Sequence, residues 1–152
     1  MKFTALDISA MGLRAQRIRM ETIANNIANI ETTDAKRISQ KTEKGDFIKH
    51  LPFRRKNVVF QSGDSSSDDP QFGILVPRIV EDMSDFIVEH KPEHPHSVKN
   101  PDAPDFGKVY FPNVNQIVEQ VDMGIASRAY EANAAAIEFT KSMNSTTMRL
   151  FG

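Results

Sequence analysis

Residues 4–30 read TALDISAMGLRAQRIRMETIANNIANI. Leu6, Leu13, Met20 and Ile27 recur every seventh residue, Ala10, Arg17 and Ala24 interleave, and Ile23 and Ile30 widen the row. Alternating steps of three and four place such residues on one face of a helix. Thr4 and Asp7 have the spacing of a capping box, and Thr32, Thr33 and Asp34 are poor helix formers that close the run. The pattern predicts a helix of about 28 residues, roughly 40 Å long.

The other end of the chain repeats the pattern. Val114, Val118, Val121, Ile125, Arg128, Ala132, Ala135, Phe139, Met143, Thr146 and Leu150 follow the same steps. Pro112 ends what precedes, and Asn113 and Gln116 have capping-box spacing. A second helix of some 35 residues, roughly 50 Å, is predicted. Two heptad-striped helices at opposite ends imply a coiled-coil-like pair. Its seams are poor in Leu. Ala10, Ala24, Ala132, Ala135 and Ala136 permit close approach but bury little area, and burial yields only ~25 cal/mol per Å². Ile8, Met11 and Ile18, and likewise Ile117, Tyr130, Ile137, Met148 and Phe151, lie off the stripes. A helix that is apolar on two faces usually has two neighbours. Two readings stay open on pattern alone: arms that pack against other chains, or a helical pair closed onto the middle of its own chain.

All eight prolines lie between Pro52 and Pro112, so the first 51 and the last 40 residues lack proline, and two arms, 1–40 and 112–152, flank a middle segment, 41–111. Charge follows the same division: 22 of 71 residues are charged from Lys41 to Phe111, against 7 of 41 from Pro112 onward. The middle has short β-like runs at residues 57–60, 73–80, 86–88 and 108–111. Pro77 confines the second to an edge or bulge. A small antiparallel sheet of three or four strands is expected, with seven of the ten Phe as its core. Residues 62–70 (SGDSSSDDP) and Glu89 to Phe106 read as loops. The fold class is α+β.

Global properties narrow the function. The chain has 152 residues, 19 Lys and Arg against 20 Asp and Glu, and no Cys. Near-zero net charge disfavours a nucleic-acid binder. Without Cys there are no thiolate metal sites, disulfides or Cys nucleophiles. No apolar run is long enough to span a membrane, and the N-terminus lacks the apolar core of a secretory signal. Phosphate-binding loops, nucleophile elbows and dinucleotide fingerprints are absent. His90, His94 and His96 have a ligand-like spacing, but Pro92 and Pro95 forbid the helix that would bring them together, so a solvated loop is the simpler expectation. Arg54-Arg55-Lys56 reads as a solvated strand edge or a protein contact. Neither an enzymatic activity nor a cofactor is expected. Asn25, Asn26 and Asn29 in the first arm and Arg128, Glu131 and Asn133 in the second stand out. Asn is unfavourable inside helices, and a buried one can fix helix register by hydrogen bonding between helices.

Those residues carry a resemblance. Ala24-Asn25-Asn26-Ile27-Ala28-Asn29 resembles the N-terminal signature of the flagellar axial proteins, the rod, hook and hook-associated subunits, as do Leu6 to Ala10 and Gly12 to Arg17. Pro112-Asn113-Val114-Asn115, Glu119, Val121-Asp122-Met123, the run from Ser127 to Asn133 and Lys141-Ser142-Met143 are similar to the proximal-rod branch of that family, as are Pro52 to Lys56 and His94-Pro95. The segment from Thr32 to Leu51 is longer than the family pattern suggests, and Ser62 to Asp69 reads as an addition.

The resemblance implies a structural subunit of the bacterial flagellar basal body. Such a subunit is exported through the flagellar type III apparatus without a cleaved signal peptide. It stacks helically, terminal helices inward, into a rod that crosses the periplasm and transmits torque from rotor to hook. The implied partners are copies of itself, other rod proteins and the adaptor between MS ring and export gate, with no nucleic acid and no membrane insertion. The implied assembly interface comprises Leu6, Leu13, Met20, Asn25, Asn26, Ile27 and Asn29 of the first arm. From the second it takes Asn113, Asn115, Val121, Ile125, Arg128, Tyr130, Glu131, Asn133, Phe139 and Met143. The arms are expected to be weakly helical alone and to order on assembly. The alternative is a helical-hairpin binding adaptor that forms no rod.

Overall fold

A computed structural model describes residues 5–42, 45–62, 74–101 and 105–151. Helix α1 spans Ala5–Ala28 and helix α2 spans Gln116–Phe151. Between them lie β1 (Lys36–Thr42), β2 (Gly45–Leu51), β3 (Lys56–Ser62), β4 (Ile74–Glu81), β5 (Ile87–His90) and β6 (Lys108–Phe111). The expected cap at Thr4 and the acidic loop at 63–70 lie outside the described residues. No described helix is long and apolar enough to cross a membrane.

The single sheet of three or four strands is replaced by three two-stranded ribbons. In β1–β2, antiparallel, Lys36 faces Leu51 and Thr42 faces Gly45; in β5–β6, also antiparallel, Ile87 faces Phe111 and His90 faces Lys108. The remaining ribbon pairs β3 with β4. Local sequence explains why the ribbons stay narrow. Pro77 removes a donor from β4 and Pro92 follows β5 closely, so neither strand offers a full ladder to a third. The β1–β2 ribbon escapes the sequence reading because β1, KRISQKT, has neither a β-branched run nor clean alternation.

The fold divides into two compact units, each assembled from distant pieces of chain. One comprises Met1–Ala24, Asn57–Val80 and Gln120–Gly152; the other comprises Asn25–Lys56 and Glu81–Glu119. The segments 1–40, 41–111 and 112–152 each contribute to both.

In the first unit α1 and α2 run antiparallel. Arg19 Nη2 donates to Asp122 Oδ1 at 3.2 Å, and Gly12 lies against Asn133. A Cβ on Gly12 would sit 2.7 Å from Asn133 Oδ1, so a larger residue there would have to displace the Asn133 amide. Gly12, Ala15, Thr22 and Ile23 are buried on α1, and Ala126 on α2.

The second unit is centred on Phe53, Val109 and Val114, with Pro52 and Pro112 also buried. Of the five Phe in the middle segment whose side chains are described, only Phe53 is buried. Polar residues are buried in this unit too: Asn26, Thr33, Ser97 and Glu119. Gly107, at φ 73°, turns the chain into β6 and accepts the Lys91 amide on its carbonyl at 2.9 Å.

Candidate functional site

Two features carry functional information: a buried polar clamp in the second unit, and an apolar row left uncovered on α2.

The clamp starts at Asn26, in the last turn of α1 and 1% exposed. Its Oδ1 accepts the Lys56 amide and its Nδ2 donates to the Lys56 carbonyl, both at 2.9 Å, so the side chain pairs with the backbone as a neighbouring strand would. Nδ2 also donates to Glu119 Oε2 at 3.0 Å. Glu119, in the first turn of α2, is fully buried, and its other oxygen accepts Arg55 Nε at 2.6 Å. Breaking such a pair by removing one partner typically costs about 3–5 kcal/mol, because it strands a buried charge. A stripe-based reading misses Glu119; its signal was the position, one residue after Val118.

Asn113 extends the clamp. Its Oδ1 accepts the Arg55 amide at 2.9 Å, and its Nδ2 donates to the Asp82 carbonyl at 3.2 Å and to Ser84 Oγ at 2.8 Å. It is therefore not the cap of α2. Asn115 is: its Oδ1 accepts the amides of Ile117 at 3.0 Å and Val118 at 3.3 Å. Asp82 accepts the Ser84 amide, and that bond, the Ser84 hydroxyl and the charges of Arg55 and Arg54 hold its carboxyl below the usual carboxylate range. The basic triplet thus turns inward: Arg55 pairs with Glu119, and Arg54 lies 4.2 Å over the Phe86 ring while bonding the Asp82 carbonyl.

The other asparagines serve their own helices. Asn29 Nδ2 donates to the Asn25 carbonyl at 2.8 Å, and Asn29 Oδ1 accepts Thr32 Oγ1, closing the end of α1. Asn133 Nδ2 donates to the Ala129 carbonyl. Of the residues singled out from the sequence, Asn26 alone joins helix to helix by its side chain, through Glu119.

The second feature is the position of the apolar row. Every member of the α2 stripe from Val118 to Leu150 is exposed, including Val121 at 58%, Ile125 at 49%, Phe139 at 76% and Met143 at 64%. The covered row lies one residue on, at Glu119, Asp122, Ala126, Ala129, Asn133, Ile137 and Thr140. One residue is about 100° around a helix, so the chain covers a small and polar face and leaves the apolar face free. Arg128 lies within that free row, Glu131 flanks it, Tyr130 lies on the far side of the helix, and all three are exposed. On α1, Leu6, Leu13, Met20 and Ile27 are half-buried, while Ala10, Arg17 and Ala24 are exposed.

His90, His94 and His96 do not converge on one point. Among the described residues, the one group with converging metal-ligating atoms is Asp34, His50 and His96, within 4.8 Å of one another. Hydrogen bonds from Arg37, and then the His50 ring, hold the Asp34 carboxyl well below the usual carboxylate range.

Comparison with known proteins bears on both features. Residues 6–36 match the family model for flagella basal body rod proteins, and residues 107–150 match that for the C-terminal region of flagellar basal body rod FlgEFG proteins. The flagellar basal-body rod protein FlgC of Bacillus subtilis is 37% identical, over 93% of this chain and 92% of its own length. FlgC of Borreliella burgdorferi is 35% identical, over 93% and 91%, and that of Aquifex aeolicus 38%, over 91% and 89%.

Proposed function

This chain belongs to the FlgC family of flagellar basal-body rod proteins, and from that membership we infer that it is a structural subunit of the rod. Its work is mechanical: to bind neighbours firmly enough to carry torque. The observation that supports this reading is the uncovered row from Val118 through Phe139 to Leu150. A subunit that stacks helically needs patches that meet different patches on its neighbours without closing a ring. An apolar row on a helix whose neighbouring face is already occupied supplies one such patch. Large exposed apolar patches rimmed by polar groups mark interaction surfaces, and Arg128 and Glu131 provide the rim.

The assembly surface is accordingly Val121, Ile125, Phe139 and Met143 with Arg128, Tyr130 and Glu131, joined by the half-buried Leu6, Leu13, Met20 and Ile27 of α1. Asn26, Asn29, Asn113, Asn115 and Asn133 contribute indirectly, by holding the helices and the clamp in place, and Asn25 stays exposed beside them. Neighbours in the rod are further copies, other rod proteins and the adaptor between MS ring and export gate. The chain reaches them by flagellar type III export without a cleaved leader, crosses the periplasm within the rod, and performs no catalysis.

The test is complementation of a flagellated bacterium that lacks its own copy, with the chain carrying Ile125→Asp and Phe139→Asp. Both side chains are exposed, so the purified variant should keep its circular dichroism and melting temperature. Swimming and rods in isolated basal bodies should be lost. Normal motility would sink the assignment of this face.

A further inference from the structure

Asp34 follows α1, His50 lies near the end of β2, and His96 sits in the turn that follows β5. Three segments distant in sequence thus bring three side chains of metal-ligating type to one point within one compact unit. Asp34 Oδ1 is 3.0 Å from His50 Nδ1, and Asp34 Oδ2 is 4.0 Å from His96 Nε2. The two imidazoles are stacked, with centroids 4.7 Å apart and planes 22° from parallel.

We propose that Asp34, His50 and His96 form a three-ligand site for a divalent transition-metal ion of the zinc class. Two imidazoles and one carboxylate are a donor set suited to such borderline ions.

Three details support it. The His50 Nδ1 atom is shut off from solvent and faces Asp34 Oδ1 at 3.0 Å, so this nitrogen is already directed at the carboxylate. His96 is already held in a ligand's posture: its Nδ1 is 2.7 Å from Thr33 Oγ1, and Thr33 is itself buried, which leaves Nε2 directed at Asp34. Ligating histidines are usually fixed through their second nitrogen in this way. Asp34 is oriented too, since Arg37 Nε and Nη2 hold Oδ2 at 2.9 and 2.7 Å, while Nε reaches Oδ1 only at 3.3 Å. Oδ1 therefore keeps the greater capacity to bind.

Bonds of 2.0–2.2 Å to a tetrahedral ion set donor atoms about 3.3 Å apart. The three ligating atoms lie within 4.8 Å of one another, and the stacked rings must rotate to aim both nitrogens at one ion. A fourth position remains for water. The ion would tie the segment between Thr32 and Leu51 to the turn at His96, in a unit whose apolar core is small. Binding to the folded state alone raises its stability.

The experiment is calorimetric titration of the untagged full chain with zinc chloride, alongside the visible spectrum of the cobalt(II) form. One ion per chain at micromolar metal is expected, with the intense cobalt bands of four-coordination and a melting temperature that rises with zinc and falls back with chelator. His50→Gln and His96→Gln should each weaken binding at least tenfold, Thr33→Val by about tenfold, and His90→Gln not at all. Absence of binding at micromolar metal overturns the site, as does binding that survives both His50→Gln and His96→Gln. Should either variant fail to fold by circular dichroism, the wild-type cobalt spectrum decides, because six-coordinate, weak bands also overturn it.

Discussion

Asn26 fills three bonds with one amide, and only asparagine can do so. Its oxygen must accept from Lys56 while its nitrogen donates to both Lys56 and Glu119. Asn26→Ala leaves the Lys56 backbone and one Glu119 oxygen unpaired in a buried site, and should lower stability in urea by about 3 kcal/mol, given ~1–3 kcal/mol for each buried group left unsatisfied. Asn26→Asp keeps the shape but places a carboxylate against Glu119, so it should be at least as damaging at neutral pH, and Glu119→Gln should recover part of the loss. Simple additivity of the two substitutions in that double-mutant cycle would show that the side chains are not coupled. Tyr110 offers a second test. Burial, and then Asp105, push its hydroxyl up from 10.0 to about 12. The unfolded chain therefore loses this proton first, so the contribution is intact below pH 10 and disappears as pH rises toward 12. Tyrosinate absorbance should show a late component that Tyr110→Phe removes. At this scale the sequence was partly legible. Asparagines inside a helix signalled unusual hydrogen bonding, and Asn26 supplies it. That its main partner is the backbone of residue 56 was not readable, because nothing local connects positions 30 residues apart.

Hydrophobic periodicity locates both helices within a few residues but does not say which face of α2 its own chain covers. It finds the most apolar face of a helix, and the usual inference is that this face turns inward. On α2 the inward face is instead the one carrying Glu119, Asp122 and Asn133, because those groups have specific partners in Arg55, Arg19 and the surface of Gly12. Alanines between them allow the close approach that such short side chains need. The ribbons show the converse. β5 and β6 are legible from their β-branched residues, whereas β1 is invisible because its stability comes from pairing and anchoring rather than from its own pattern. Gly124 separates propensity from packing on α2. A Cβ there meets no atom within 4 Å, so Gly124→Ala should raise the stability of the free chain by about 0.5–1 kcal/mol, read as a shift of the urea midpoint. A loss of stability would mean that the glycine is needed by the fold itself.

At the scale of the whole molecule, the chain is stable enough to hold a clamp and a short helical seam, yet too sparsely packed to use all its apolar surface. Among the described residues Ala15, Ile23, Phe53, Val109, Val114 and Ala126 form the buried hydrophobic core, while Phe139, Met143, Met148 and Leu150 lie more than 60% exposed. Every residue from 141 to 150 is exposed, so among the described residues the last turns of α2 gain little tertiary cover. An isolated helical end with no tertiary cover opens readily. Hydrogen exchange should therefore divide the helix. Amides near Ala126, on the covered row, should be protected in the free chain, whereas those of 141–150 should exchange at rates close to those of an unstructured peptide. In basal bodies the same terminal amides should become protected, because neighbouring subunits would cover Phe139, Met143 and Leu150. Strong protection of 141–150 in the dilute free chain would mean that the helix end needs no partner, and the ordering of this arm would then not be coupled to assembly. Protection absent from both states would remove the terminal turns from the interface and confine it to the row between Val118 and Phe139.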